Sequence, residues 1–528
     1  MKKAIWLTII SCSLLYKSFS QTWQWGRQTV STLTNSLCSD VDNKGNIWAS
    51  GNYGNGIINF SGNILPAPPP NFSANIFLAN YDINGNVLLT KHFSGSLGDV
   101  NVYGLKVDNI NNIYVSGNFV GTLNLDSDSI MTGGIPSSFV FKTDSLGNVL
   151  WAKKLSYQYS STPCFIDLDS ANNIIVVGSY QYTGGGGLTN VFIEKLDSAG
   201  NNLFQTIITG QNNNLNFNPL YVAPNGNFYL TGLFEGTATL STTTISPVGA
   251  ADIFVTKFFA NNNLAWFKNY GTPNIDGAQS VICDENEDVY FTCQIGQKAM
   301  LNKLNSSGDS LWNHIVGNPT NDNLTATDLI YRNHKLILSG TYFNHSLTIG
   351  STNFPFAVHS NLYLAQVDTN GNYDWGIIGV NSGGIGAFSL RHLTNDIYVN
   401  GNFGGAFGTD TLIIANDTLF SNNPSHAEGY LAKLEMPPTG IININNPSSK
   451  IIVAPNPNDG NFAIMFSYLI SRGKIEIYNL FGEKVFEENI SASITKAINL
   501  KNISVGIYLV KVFDGDRSYC KKLIIERN

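Results

Sequence analysis

Histidine and aspartate are the residues of this 528-residue sequence whose types and spacing could do chemistry. His345, His359 and His426 fall in long loops of neighbouring repeats, which makes a metal cluster conceivable. However, no His-x-His, Glu-x-x-His or paired-carboxylate spacing accompanies them, and scattered solvated histidines are the favoured interpretation. We therefore predict no metal site, no cofactor and no catalytic residue.

A recurring Asp-x-x-Gly-Asn segment is the second candidate. Copies begin at Asp82, Asp144, Asp197 and Asp368. A calcium loop needs several carboxylates that converge on one ion, and each copy supplies one. An aspartate can open a tight turn by bonding to its own backbone, and glycine accepts a positive φ angle. The segment therefore predicts turns and not calcium sites.

Two other motifs also have a structural interpretation. The glycine run at residues 184–187 is not a phosphate loop, because neither Lys-Ser/Thr nor a helix follows it. Tryptophans recur near the ends of the repeats, where they could stack on sugars. They alternate with polar residues in a strand pattern, so packing between repeats is the stronger interpretation.

Composition limits the function classes. Charged residues make up 13% of the chain and the net charge is −7, with no basic cluster, so we expect no nucleic-acid partner. Nothing beyond the N-terminus approaches a membrane-spanning apolar run. The cysteines are scattered, without disulfide or zinc spacing.

The N-terminus has the pattern of a secretory signal peptide over residues 1–20. Lys2-Lys3 precede an apolar run, and small residues lead to an expected cleavage between Ser20 and Gln21. The alternative is a lipoprotein signal in which Cys12 is lipidated.

An apolar signature that ends in glycine recurs roughly every sixty residues, as in repeat architectures. Copies begin at Asn46, Asn112, Asn173, Asn227, Lys335 and Asp396, and a further copy with Cys293 in place of glycine fills a double interval. Alternating β-branched and aromatic residues predict four strands in each of the seven repeats.

The tryptophan-rich segment at residues 22–29 reads as a single strand without a partner nearby. Similar segments close four repeats, at Trp151, Trp266, Trp312 and Trp375. The last repeat, in contrast, stops after its third strand at Leu434-Glu435-Met436. We therefore predict that Trp23-Gln24-Trp25 pairs with residues 429–434 and closes the array into a ring without exposed edges.

The repeats resemble those of seven-bladed β-propellers in secreted bacterial proteins. The resemblance covers residues 21–436 and depends on the motifs Asn-Ile-Tyr-Val-x-Gly, Phe-Val-x-Lys-x-Asp and Gly-Asn-x-Leu-Trp. It implies an all-β fold, a seven-bladed β-propeller closed by an N-terminal strand. A row of β-sandwich modules is the alternative architecture, but it would leave the lone first strand without a pairing partner.

The connections between second and third strands are long and differ among the repeats, as at residues 52–74 and 402–428. Because variable loops on a rigid scaffold often carry recognition, we expect a ligand site on this face, around the channel mouth. The alternative is that these connections are hairpins that cover strand edges.

Residues 437–451 form a polar linker that begins with Pro437-Pro438, and a small β-unit follows over residues 452–528. Its order and spacing closely resemble the type A C-terminal sorting domain of type IX secretion cargo from Bacteroidetes. The residues that carry the resemblance are Pro455, Asn456, Pro457, Gly460, Tyr478, Gly482, Gly506, Tyr508 and Lys522. Cys520 is the one departure, where a polar residue is usual.

The sorting-domain resemblance implies an Ig-like β-sandwich and the type IX secretion machinery as a partner. It also implies Sec export, passage through the periplasm, and a final place on the cell surface or outside. For the repeats we favour a non-enzymatic binding or adhesion protein, with a glycan or surface protein as ligand. The alternative is a secreted hydrolase with its site in the channel. Since we find no repeated acid at the channel mouth, binding is the favoured function.

Overall fold

The structure is a computed structural model. It describes residues 22–29, 34–54, 56–68, 74–95, 100–155, 161–182, 188–214, 219–295, 298–317, 323–381, 383–393, 396–404, 410–415, 417–421, 427–436, 451–479, 482–500, 503–514 and 517–526. The predicted signal peptide with Cys12, Ser20 and Gln21 lies outside these residues, as do His426, the glycine run at 184–187 and residues 437–450.

Every regular element of the described residues is a β-strand, which confirms the all-β class. Within these ranges no helix occurs that is long and apolar enough to cross a membrane. The chain divides into two compact units, Met1–Pro437 and Pro438–Asn528. Each unit is described separately.

The first unit repeats one antiparallel meander, in which each of four strands pairs with the next. The first strand of the chain, β1 (Thr22–Thr29), belongs to the last meander. Meander A is β2 (Thr34–Val41), β3 (Ile47–Tyr53), β6 (Asn75–Tyr81) and β7 (Val87–Gly95), with a hairpin of β4 (Ile58–Phe60) and β5 (Asn63–Leu65) between β3 and β6. Meander B is β8 (Val100–Val107), β9 (Ile113–Phe119), β12 (Ser137–Thr143) and β13 (Val149–Leu155), with a hairpin of β10 (Thr122–Leu125) and β11 (Asp128–Met131).

The next meanders follow the same plan. Meander C is β14 (Ser161–Leu168), β15 (Ile174–Tyr182), β16 (Leu188–Leu196) and β17 (Asn202–Asn214). Meander D is β18 (Leu220–Val222), β19 (Phe228–Leu240), β21 (Asp252–Phe258) and β22 (Leu264–Tyr270), and the end of β19 forms a hairpin with β20 (Thr243–Ile245). Meander E is β23 (Asp276–Cys283), β24 (Val289–Ile295), β25 (Lys298–Leu304) and β26 (Ser310–Ile315).

The last two meanders precede the end of this unit. Meander F is β27 (Asp328–Arg332), β28 (Lys335–Tyr342), β31 (Asn361–Asp368) and β32 (Tyr373–Asn381), with a hairpin of β29 (Leu347–Ile349) and β30 (Thr352–Phe354). Meander G is β33 (Ile385–Leu393), β34 (Asp396–Phe403), β37 (Glu428–Glu435) and β1, with a hairpin of β35 (Asp410–Ile414) and β36 (Asp417–Ser421).

Strand β1 completes meander G, as the sequence predicts. It pairs antiparallel with β37, with Thr22 opposite Glu435 and Thr29 opposite Gly429. The two tryptophans anchor this strand, since the indole N–H of Trp23 donates to the carbonyl of Ile378 and that of Trp25 to the carbonyl of Ile83, both at 3.1 Å. The predicted pairing across some 400 residues is therefore confirmed.

The cores of the first unit lie between neighbouring meanders. Aromatic and aliphatic residues of adjacent sheets share buried clusters, for example Tyr114 of B with Phe192 of C. Another cluster joins the last meander to the first, because Trp25 and Tyr398 of G pack with Ile47 and Phe77 of A. Burial of this apolar surface is the main stabilising contribution.

The Asp-x-x-Gly-Asn segments form tight turns. In the copy at Asp197 the carboxylate accepts the backbone N–H groups of Ala199 and Asn201 and the side-chain amide of Asn201, at 2.8–2.9 Å. Gly200 takes φ +85°, which other residues adopt at a cost. The turn interpretation is confirmed at all four copies, because Asp82, Asp144 and Asp368 make the same three bonds.

The second unit is a five-stranded antiparallel sheet of β38 (Ile451–Ala454), β39 (Asn461–Asn479), β40 (Lys484–Asn499), β41 (Gly506–Asp514) and β42 (Arg517–Ile525). The order is β38-β39-β41-β42, and β40 also pairs with β39. The pairing of the long strands β39 and β40 is interrupted between Met465 and Ile470. Alternate residues on one side of the strands build the core, among them Ile475, Val510 and Leu523.

Candidate functional site

A cavity of about 550 Å³ is enclosed by the first strands of meanders A to G. Its wall contains residues of β2, β8, β14, β18, β23, β27 and β33. Because each meander contributes its first strand, these strands are the innermost of the unit. The volume lies within the range of small-molecule sites in proteins.

Bulges disturb the regular pairing of several of these first strands. In β8 the register shifts between Val102 and Gly104, so Tyr103 is the extra residue, and it lines the cavity. Comparable shifts occur in β2, β14, β23 and β33. A bulge redirects side chains and bends the strand, and bulges are frequent beside functional sites.

Three aspartates join the inner strands to one another. The carboxylates of Asp40, Asp167 and Asp328 each accept a backbone N–H from the first strand of the next meander. The donors are Val107 at 2.9 Å, Val222 at 2.8 Å and Leu390 at 2.7 Å, respectively. These bonds tie A to B, C to D and F to G.

The sequence predicted no repeated acid at the channel mouth, and the wall of this cavity contains three aspartates. Asp40 and Asp167 each stand two residues before the turn aspartate of their repeat, and Lys106 has the same position in meander B. An alignment of the repeats on their turns would have revealed this alternation of charge. Asp328 has another position and becomes visible only through the strand pairing.

Two cations accompany the aspartates. The Lys106 ammonium lies 2.8 Å from a carboxylate oxygen of Asp167, within hydrogen-bond reach. The Arg391 guanidinium lies 3.6 Å from Asp40 and 3.7 Å from Asp328, which is ion-pair distance without a hydrogen bond. Burial raises the pKa of the Asp328 carboxyl, and Arg391 opposes this shift.

Aromatic side chains form another part of the cavity wall. Tyr103 and Phe165 have ring centroids 5.9 Å apart, and Tyr221 and Tyr331 line the wall further along. Desolvation raises the pKa of Tyr103, so its hydroxyl stays protonated. Burial likewise raises the pKa of the neighbouring Cys38 thiol to about 12, so this thiol is no nucleophile at neutral pH. The wall thus offers flat apolar faces beside polar groups.

In their described parts the long connections contribute Asn402 alone to the cavity wall, and this residue still belongs to strand β34. Instead, hairpins pair with the fourth strand of the preceding meander: β10 with β7, the end of β19 with β17, and β35 with β32. The hairpin within residues 52–74 buries Ile58 and Phe60 against Trp25. These connections cover outer strand edges, as the alternative interpretation had it, because an unpaired edge is prone to association.

The histidines that the structure describes are not assembled into a metal site. His345 and His359 belong to the β28–β31 connection. His314 lies in strand β26, where it contacts the indole of Trp312. Among the described residues no group of His, Cys, Asp and Glu could hold a metal ion. His392, in contrast, is part of the cavity wall, where the sequence had not singled it out.

The recurring tryptophans pack between meanders, as predicted. The indole N–H of Trp151 donates to the carbonyl of Ser198, and that of Trp266 to the carbonyl of Ser306, at 3.1 and 3.0 Å. These two rings lie against the turn glycine of the next meander, Trp151 against Gly200 and Trp266 against Gly308. A ring held in this way is not a free platform for sugars.

In the second unit, two of the predicted motif residues, Asn456 and Lys522, meet at the edge strand β42. The Asn456 side chain donates to the carbonyl of Lys522 and accepts the N–H of Ile524, both at 2.7 Å. It thus acts like a short neighbouring strand and satisfies backbone groups of the edge. This contact holds the Pro455-Asn456-Pro457 segment against the last strand.

The remaining motif residues lie apart from this edge. Gly460 is buried, and its carbonyl accepts the N–H of Leu500 at 2.7 Å. Gly482 turns the chain between β39 and β40 with φ +81°, and Gly506 begins β41. The Tyr508 hydroxyl donates to the carbonyl of Ser504, and that of Tyr478 to Glu476.

Residues 452–526 match the family of the secretion system C-terminal sorting domain. This match assigns the route of the protein. The protein is exported through type IX secretion to the cell surface or outside, and the machinery of that pathway is its partner.

Comparisons of the whole chain give weaker likenesses. No curated protein matches the sequence. A Dyadobacter fermentans protein of unknown function is similar in structure over 78% of this chain and 99% of its own, with 10% identity and a TM-score of 0.36. A prolyl endopeptidase is similar over 94% of this chain and 55% of its own, with 8% identity and a TM-score of 0.39. These likenesses carry no argument about activity.

Proposed function

We propose that the protein is an exported, non-enzymatic binding protein and that its ligand site is the cavity between the inner strands. The proposal includes a seven-bladed β-propeller, in which meanders A to G are the blades. Two observations support the closed ring: β1 completes meander G, and a shared apolar cluster joins G to A. Closure leaves no exposed first or last sheet.

The proposed domain plan has a signal peptide at residues 1–20, the propeller at 21–436, a linker at 437–451 and the sorting domain at 452–528. For the sorting domain we propose an Ig-like sandwich. Its two layers would be the two halves of β39 and β40, since β38 pairs with the first half of β39 and β41 with the second.

The composition of the cavity wall is the observation that carries the binding function. Aromatic faces stand beside polar groups there, and this combination is usual in ligand sites. A hydrolase would need a carboxylate or histidine that is free to exchange protons or attack. One oxygen of each of Asp40, Asp167 and Asp328 accepts a backbone N–H group of the next meander, so these carboxylates have a structural role in the wall, and a secreted hydrolase is the alternative function.

A cavity-filling substitution tests this proposal. Leu220 lines the cavity and is half-buried, so Leu220→Trp in the full-length exported protein should fill the space. We expect ligands found on a glycan and small-molecule array to lose affinity for this variant. The matched control is Leu203→Trp, since Leu203 is 52% exposed on the outer strand β17.

Two outcomes would overturn the binding function of the cavity. Unchanged binding by Leu220→Trp at an unchanged melting temperature would place the ligand elsewhere. Mass spectrometry of the same ligands after incubation with the protein would detect cleavage. Products that depend on the protein and vanish with Leu220→Trp would favour a hydrolase.

A further inference from the structure

Two polar groups of strand β33 line the cavity without a hydrogen-bond partner among the described residues. Ser389 is only 4% exposed, and its hydroxyl has no partner. The Nε of Arg391 is also buried without one. The two residues are separated by one position, so they lie on the same side of the strand. Buried polar groups are usually satisfied by protein, water or ligand, so this pair has bonding capacity that a ligand can use.

The space beside Arg391 adds an acceptor to these donors. One oxygen of Asp40 accepts the N–H of Val107, and the other lies 3.6 Å from the Arg391 Nε. This separation is longer than a hydrogen bond, so both atoms keep bonding capacity. An inserted oxygen atom could accept from the guanidinium and donate to the carboxylate.

Charge excludes most ligand classes at this point. A ligand carboxylate or phosphate beside Arg391 would meet the carboxylates of Asp40 and Asp328, and an ammonium group would meet the guanidinium. A hydroxyl group avoids both repulsions, because it donates and accepts at once. Tyr103 and Phe165 add apolar faces against which the C–H side of a sugar ring can pack.

We propose that the cavity binds a neutral carbohydrate, with one sugar hydroxyl held between Ser389, Arg391 and Asp40. This inference rests on the proposed binding function of the cavity. The volume of about 550 Å³ fits a mono- or disaccharide and no longer chain in full. A longer glycan would therefore enter by its terminal residues.

Calorimetric titration of the full-length protein tests the inference. The ligands are neutral mono- and disaccharides, the matching uronic acids and amino sugars, and aromatic compounds without hydroxyl groups. We expect a neutral sugar to bind more tightly than its acidic and basic counterparts. Ser389→Ala should weaken this sugar about tenfold, because one hydrogen bond in the site is lost.

The Ser389 hydroxyl bonds nothing else among the described residues, so Ser389→Ala should leave the melting temperature unchanged. The matched control is Ser129→Ala on the exposed strand β11, which should keep full affinity. Arg391→Lys keeps the positive charge and loses Nε, so it should weaken sugar binding as well. A melt of this variant separates lost binding from lost folding.

Each contrary result has a definite meaning. Tighter binding of a uronic acid or amino sugar, or sugar binding unaffected by Ser389→Ala, would overturn the inference. If no sugar of the panel binds at millimolar concentration, the carbohydrate class is wrong. In these cases an array ligand that is lost on Leu220→Trp would still uphold the cavity as the binding site.

Discussion

At the scale of the residue, local and distant bonds differ in how far the sequence reveals them. The turn aspartates were predictable because their partners stand two and four positions along the chain. Asp40 and Ser389 were not predicted as site residues. They come close together only through the packing of strands that are hundreds of residues apart in sequence. The pattern of types alone does not show which inner strands meet.

Asp197→Asn should show how the turn carboxylates contribute to acid sensitivity. The pKa of Asp197 is lowered from 3.8, chiefly by the bond from the Asn201 side chain and also by backbone N–H groups. A lowered carboxyl pKa stabilises the fold above the unfolded-state value and loses this effect as the pH falls through the folded-state value. Thermal melts of parent and variant should differ most at pH 7 and begin to converge as the pH falls below about 4.

Asp128→Asn is the control for this titration. Asp128 is exposed on a hairpin, and its carboxylate accepts the backbone N–H of the neighbouring residue Ser129. We expect this variant to melt close to the parent, since the side chain is exposed. An Asp197→Asn difference that persists unchanged at pH 3 would contradict the assignment.

Gly308→Ala should destabilise the contact between meanders D and E. Gly308 has φ +79°, and an added Cβ would lie 3.0 Å from the ring of Trp266, which is anchored by its bond to Ser306. The positive φ alone costs about 1–2 kcal/mol. Gly62→Ala isolates this strain, because Gly62 has φ +101° and open space around it. Urea unfolding should give a lower free energy of unfolding for Gly308→Ala than for Gly62→Ala. Equal losses of stability would show that the ring of Trp266 moves aside at little cost.

At the scale of the element, the strand β1 and the hairpins have the same role of covering edges. The position of β1 was predictable because the last repeat lacks a strand and the chain begins with a spare one. The hairpin pairings were not, since short strands such as β10 join a neighbouring meander and leave no signature in their own repeat. Tertiary context decides such pairings.

Deletion of Thr22–Thr29 should open the first unit. It would unpair the outer edge of β37 and remove two tryptophans, each contributing several kcal/mol in the manner of core aromatic residues. Because a domain is stable by only about 5–15 kcal/mol, we expect aggregation or a strongly lowered melting temperature. Light scattering and calorimetry measure both effects.

A disulfide provides the complementary test of this strand. Thr22 and Glu435 are exposed and directly opposite in the register, so the pair Thr22→Cys and Glu435→Cys should crosslink on oxidation. The single-cysteine variants are the controls. A monomeric deletion variant with an unchanged melt would contradict the closed ring.

Replacing the β10–β11 hairpin by a short turn should lower stability and leave cavity binding unchanged. The exchange removes buried Leu123 and Leu125 and exposes the edge of β7, which lies far out in the sheet from the cavity-lining strand β2. We expect a lower melting temperature and concentration-dependent association in sedimentation. If the hairpin variant lost sugar binding at unchanged stability, the result would place the ligand site in the long loops.

At the scale of the whole molecule, export and binding are properties of different units. A chain that ends at Met436 should therefore fold and remain in the periplasm, because it lacks the sorting domain. Cell fractionation of the producing organism measures its location, and the full-length protein is the control. Efficient export of the shortened chain would show that the repeats carry a sorting signal of their own.

The pairing of β1 with β37 also fixes an order of events during biosynthesis. The chain emerges from the ribosome with β1 first, and its partner follows only some 400 residues later. Until then β1 has no sheet to join, and Trp25 lacks Tyr398 and Leu431 of meander G as packing partners. The nascent protein thus exposes apolar surface for most of its synthesis, and such surface is prone to association before folding is complete.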